Sequence, residues 1–120
     1  MDKKKKQLLL IVIAVIVVGI VALVISGLTP AVGYVIAAED GQYLIVLDDS
    51  PVVMSSRTRD ENMFVGLKTG NQVLILHDGI RESYPAQTGV YFCMNIGSGN
   101  PDKIPQHILE SLTELGWIAP

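Results

Sequence analysis

The chain has few of the residues that disulfides and structural metal sites require. Among 120 residues it contains one cysteine, Cys93, and two histidines, His77 and His107. One cysteine excludes an intramolecular disulfide, and with two scattered histidines it cannot form a structural zinc site. The acidic pairs Asp48-Asp49 and Asp60-Glu61 lack the oxygen-ligand spacing of a calcium loop, so we expect neither a bound metal nor another cofactor.

Charged side chains are absent from Leu8 to Leu28. At ~1.5 Å per residue this segment makes a helix of roughly 31 Å, close to the hydrocarbon thickness of a lipid bilayer. Four lysines, Lys3 to Lys6, precede it, and no comparable basic cluster follows. The positive-inside rule therefore predicts a single-pass cell-membrane protein with a cytoplasmic tail (1–7), a transmembrane helix (8–28), a linker (29–32) and an extracytoplasmic domain (33–120).

A cleaved signal peptide is the alternative interpretation of this N-terminus. It also begins with basic residues, but its apolar region is usually about 7–15 residues long, which is shorter than the segment found here. Cleavage near Ser26 to Ala31 would give a secreted form. No cysteine lies near the end of the apolar segment, so attachment as a bacterial lipoprotein is excluded.

Basic residues are scarce in the remainder of the chain. After residue 28 there are five basic and eleven acidic residues, a net charge of 5 − 11 = −6. Because phosphate neutralisation dominates affinity for nucleic acids, this charge disfavours a nucleic-acid partner. The Gly97-Ser98-Gly99 segment lacks the lysine of a phosphate-binding loop and is interpreted as a connector.

The domain shows short apolar segments separated by turn residues, which is typical of a mainly β fold. A hairpin is expected at Glu39–Gln42, with Gly41 taking a positive φ, whereas the pattern at Met63–Leu67 fits either a strand or a helical turn. The predicted strands are Val32–Ala38, Tyr43–Asp48, Val52–Ser56, Gln72–His77 and Val90–Ile96.

Several of these strands are apolar on both faces, so they need cover on both sides. A C-terminal helix at about 104–115 can supply it, because an apolar stripe lies between Pro105 and Gly116. Its members are Ile108, Leu109, Leu112 and Leu115. The predicted fold is a small β-barrel of the oligonucleotide/oligosaccharide-binding (OB-like) type with one C-terminal helix; a half-open sheet with a docked helix is the alternative.

Catalytic patterns are weak. His77 and Ser83 could act as base and nucleophile only if the fold brought them within roughly 3–4 Å, and no recognised nucleophile motif surrounds Ser83. We therefore expect no catalysis, with a small hydrolase using His77 and Ser83 as an alternative hypothesis. Cys93, between Phe92 and Met94, is expected to be a small core residue rather than a reactive thiol.

One segment carries a more specific pattern. Leu67 to Gln87 combines a Gly-x-x-Val strand, an Asp-Gly turn and the run Glu82-Ser83-Tyr84-Pro85-Ala86-Gln87. It resembles a family of small uncharacterised exported bacterial proteins, mostly from Gram-positive organisms. That resemblance implies an OB-like barrel behind a lipoprotein signal or N-terminal anchor, and it implies no reaction.

The segment from Glu82 to Gln87 also holds the candidate binding residues, Glu82, Tyr84 and Gln87. Pro85 cannot donate to a sheet ladder, so an irregular connection with a fixed turn is expected here. Tyr84 is predicted to be mostly buried, and if it is exposed it would instead form a recognition surface. The predicted function is a membrane-anchored extracytoplasmic module of the bacterial envelope that binds a protein, peptide or glycan. A further hypothesis gives the apolar helix a docking role against other transmembrane helices.

Overall fold

The N-terminal helix stands apart from the rest of the chain. The computed structural model describes residues 2–119, so residues 1 and 120 of the predicted tail and domain lie outside the described part. Helix α1 spans Lys3–Ser26, none of its residues is buried, and Gly27 ends it in the left-handed conformation with a φ of 76°. The predicted tail is therefore mostly helical, because lysine is a good helix former and extends α1 beyond its apolar segment.

Five strands form a closed barrel after this helix. The strands are β1 (Thr29–Ala37), β2 (Tyr43–Leu47), β3 (Ser50–Ser56), β4 (Gln72–Arg81) and β5 (Ala86–Gly97). Their order around the barrel is β1-β2-β3-β5-β4, and pairing between β1 and β4 closes it. All neighbours are antiparallel except β3 and β5, which run parallel. The half-open sheet is therefore wrong, and the mainly β fold with one C-terminal helix is confirmed.

Several strand boundaries differ from the prediction, and most of the observed strands are longer. Residues 29–32, predicted to be a linker, belong to β1, which pairs with β4 from Thr29 to Tyr34. Pro30 is tolerated there because the pairing of β1 with β2 starts only at Tyr34, which leaves that edge of the strand open. The predicted Asp-Gly turn, Asp78-Gly79, lies inside β4, which continues to Arg81, and β5 begins at Ala86 rather than at Val90. The hairpin between β1 and β2 is confirmed, with a φ of 74° at Gly41.

The barrel interior holds the inner core. It is made mainly of β-branched residues that point inward from the strands: Val35, Ile45, Val52, Val73, Ile75 and Val90. The connection between β3 and β4 adds Phe64, which is 8% exposed and packs against this core. Met63–Leu67 is neither a strand nor a helix but a series of turns, so side-chain burial rather than regular structure positions Phe64.

A second apolar cluster lies outside the barrel, beneath helix α2 (Gln106–Glu114). Ile36, Leu44 and Val53 form one row across β1, β2 and β3, and they point outward against α2. Ile108 and Leu112 are fully buried in this cluster. The predicted stripe is wrong at Leu115, which is 53% exposed because α2 ends at Glu114.

Candidate functional site at the β4–β5 hairpin

The candidate binding residues lie together at one end of the β4–β5 hairpin. Arg81 pairs with Gln87, so only Glu82 to Pro85 connect the two strands. Glu82, Tyr84 and Gln87 are all exposed, with Tyr84 57% exposed. The connection presents a carboxylate and an aromatic ring with a hydroxyl to solvent, and Gln87, near the start of β5, adds an amide. Such side chains can bind a polar partner through hydrogen bonds and ring stacking.

The prediction that Tyr84 is mostly buried is wrong. The residue that enters the protein is Pro85, which is buried and follows a cis peptide bond. The Ser83 hydroxyl donates a hydrogen bond to the Pro85 carbonyl at 2.8 Å, which closes the turn. Since β4 and β5 pair up to Arg81 and Gln87, Tyr84 lies in the connection beyond the paired strands, where its side chain is 57% exposed.

The structure gives His77 and Ser83 separate backbone partners. His77 is 5% exposed within β4, and its Nδ1 accepts a hydrogen bond from the Gly79 N–H at 3.1 Å. The Ser83 hydroxyl is engaged with the Pro85 carbonyl. Within residues 2–119 no hydrogen bond joins the two side chains, so these contacts give no support to a nucleophile–base pair.

His77 lines a surface pocket of about 370 Å³ near the end of α1. The pocket lies between the first residues of β1 and the turn after β2, with Pro30, Leu47, Asp48 and Ile80 among its walls. Because the buried imidazole already has a backbone donor at Nδ1, its position is explained by the fold. The pocket brings no second histidine or cysteine to it.

Asp78 has a structural role that the sequence pattern does not reveal. One carboxylate oxygen accepts the Gly89 N–H at 3.0 Å, and the other lies 3.7 Å from Nε of Arg57. A side chain at position 89 would meet both Arg57 and Asp78 and would displace them, so glycine leaves room for this approach. The partly exposed ion pair contributes little by itself, but the contacts tie the end of β3 to β4 and β5.

The acidic pairs form turns. Asp48 and Asp49 are the two central residues of the β2–β3 turn, and both have positive φ, at 50° and 59°. Asp60 Oδ1 accepts the Asn62 N–H at 3.0 Å, which stabilises its own loop. In the part of the chain that the structure describes, no three His, Cys, Asp or Glu residues gather where they could hold a metal ion.

Cys93 lies in β5 and packs against the inner core, as expected of a small core residue. Burial raises the pKa of its thiol above the usual 9.0. The neutral thiol is therefore favoured at neutral pH, and a thiolate is the form that reacts with electrophiles.

Comparison with known proteins yields no match to a family model, to a curated protein or to a solved structure. The family resemblance carried by Leu67 to Gln87 therefore stays a prediction. By length and composition α1 is apolar enough to cross a membrane, and an N-terminal signal sequence meets the same criteria.

Proposed function

We propose that this chain is a non-catalytic, membrane-anchored interaction module, with its barrel on the extracytoplasmic side of a bacterial cell membrane. The observation that carries the proposal is the exposure of an apolar helix. No residue of α1 is buried, although the helix is long and apolar enough to cross a membrane. Because an apolar helix in water is strongly unfavourable, α1 needs an apolar environment that the barrel does not provide, and a bilayer supplies it.

We assign the barrel to the OB-like class. The strand order β1-β2-β3-β5-β4, with parallel β3 and β5 and closure through β1 and β4, supports this assignment. Proteins of this class often bind ligands on the face of β2 and β3 and on the adjoining loops. Here α2 covers that outer face, because Leu44 and Val53 pack beneath it.

The binding site proposed for this module is therefore the β4–β5 connection, with Glu82, Tyr84 and Gln87 as contact residues. All three are exposed, and burial of Pro85 supports the turn that presents them. The proposed partner is a protein, peptide or glycan outside the cell. The acidic charge of the domain disfavours nucleic acid.

Chemical cross-linking of the intact protein in its native membrane tests this proposal. We expect a repeatable partner with the wild-type chain and at least a tenfold loss of it with Tyr84→Ala. Tyr91→Ala is the matched control, since Tyr91 is another tyrosine of the same hairpin and is 41% exposed. Equal capture by both variants would contradict the assigned site. Recovery of a chain without α1 outside the cells would show cleavage and a secreted form, and would contradict the anchor.

A further inference from the structure

The outer surface of the barrel has a second apolar face, which α2 does not cover. Two rows of directly paired residues cross β1, β4 and β5, and paired residues of neighbouring strands share one side of a sheet. The first row is Pro30, Leu76 and Phe92, and the second is Val32, Leu74 and Met94. We refer to these six residues as the uncovered face.

The exposure of this face contrasts with that of the equivalent row under α2. Val32, Phe92 and Met94 are 48%, 45% and 44% exposed. Under α2, by comparison, Ile36 and Leu44 are at most 1% exposed. Both faces belong to the same barrel and both are apolar, but within residues 2–119 only one has a helix packed on it. The second face is therefore suited to cover from outside the chain.

The size of the uncovered face fits a small protein interface. Three of the six apolar residues are 44–48% exposed, and together the six leave on the order of 400 Å² of apolar surface in contact with water. Patches of that size on monomeric proteins are often functional. Two such patches packed together would bury roughly 800 Å². Specific interfaces begin near ~1,000 Å² in total, so residues that surround the uncovered face must add to this contact.

The charge of this surface favours a second copy of the chain over a lipid bilayer as the partner that covers the face. The six residues carry no charge, so two identical faces meet without like-charge contact. A lipid surface fits less well, because the domain carries −6 and because Asp48 and Asp49 line the same surface pocket as Val32, together with a single cation, Lys103. Anionic headgroups would be repelled by the net negative charge that remains.

We propose that the uncovered face packs against the uncovered face of a second copy of this chain, in a two-fold symmetric contact. In such a contact the same residues serve both partners, and two sheets pack face to face about 10 Å apart. The inference rests on the proposed function, because α1 confines the copies to one membrane and so raises their effective concentration. It concerns a surface different from Glu82, Tyr84 and Gln87.

Site-specific photo-cross-linking in the membrane of expressing cells tests this contact. The photo-reactive residue benzoylphenylalanine replaces Phe92 in the full chain, and in a control it replaces Val65, which is 68% exposed outside the face. We expect a covalent product of twice the chain's mass from position 92 and at least tenfold less from position 65. Equal yields, attachment to lipid, or attachment only to a different protein would each overturn the proposal.

A charge-insertion variant supplies the second measurement. Met94→Lys should reduce the dimer cross-linked from position 92 at least tenfold without lowering the melting temperature, whereas Leu115→Lys should leave it unchanged. Higher salt should strengthen the association, because salt screens the repulsion between two acidic domains. An alkaline carbonate wash of the same membranes measures anchoring separately from dimer formation. Release of the chain by the wash would contradict the proposed function. Retention of the chain without a cross-linked dimer would contradict only the contact between the two uncovered faces.

Discussion

Truncation of Leu112 is expected to destabilise the domain strongly. Leu112 is fully buried between α2 and the outer face of β1–β3, so Leu112→Ala removes apolar contacts and leaves a cavity. Buried leucine-to-alanine changes cost about 2–5 kcal/mol. A domain of this size has a free energy of unfolding of about 5–15 kcal/mol, and each kcal/mol lowers the melting temperature by about 4–8 °C. The expected decrease is roughly 8–40 °C.

Leu115→Ala is the matched control, since Leu115 directly follows α2 and is 53% exposed. Its effect should stay within about 0.5 kcal/mol. Fluorescence of Trp117, the single tryptophan, provides the assay, because Trp117 packs against the same outer cluster and α1 contributes nothing to its signal. Equal melting temperatures for the two variants would refute the conclusion that α2 covers the barrel.

Three further predictions concern the barrel and its hairpin. Gly33→Ala should cost about 1–3 kcal/mol in chemical denaturation, because an added Cβ would meet the Val46 carbonyl. Alkylation of Cys93 by iodoacetamide at pH 8 should be several-fold slower in the folded chain than in urea, since burial raises the pKa of the thiol. The stability linked to that raised pKa is present below pH 9.0 and is lost as the pH rises through the folded value. Tyr84→Ala should change the free energy of unfolding by less than about 0.5 kcal/mol, because the ring is exposed, and a larger loss would mean that it packs on the fold.

Strand positions could be predicted from the sequence because the apolar segments and turn residues act locally. The strand pairing that closes the predicted barrel could not, because it depends on which edges meet: β1 pairs with β4 across 38 to 48 residues of chain. The same long-range pairing extends β1 back to Thr29, through the segment predicted to be a linker. Phe64 is a further example, because it enters the core from a segment without regular structure.

The position of the candidate site could be predicted from the sequence, but which of its side chains are exposed to solvent could not. The Pro85 pattern indicated a turn between two strands, and that turn holds Glu82 and Tyr84. Whether tyrosine or proline faces the interior depends on how far β4 and β5 remain paired, which local pattern does not determine. The sequence partly indicated the uncovered face, because Leu74 and Leu76 alternate with buried Val73 and Ile75. It did not show that α2 covers one outer face of the barrel and leaves this one exposed.

The most direct test of the membrane-anchored, extracytoplasmic arrangement is protease accessibility of the barrel in intact cells whose outer layers have been removed. With an epitope at the C-terminus, we expect externally added protease to remove the epitope while carbonate-washed membranes retain the chain. Replacing Lys3 to Lys6 with glutamate should scramble this orientation and protect part of the population. An epitope of the unaltered chain that is digested only after the membrane is permeabilised would place the barrel in the cytoplasm and contradict the account.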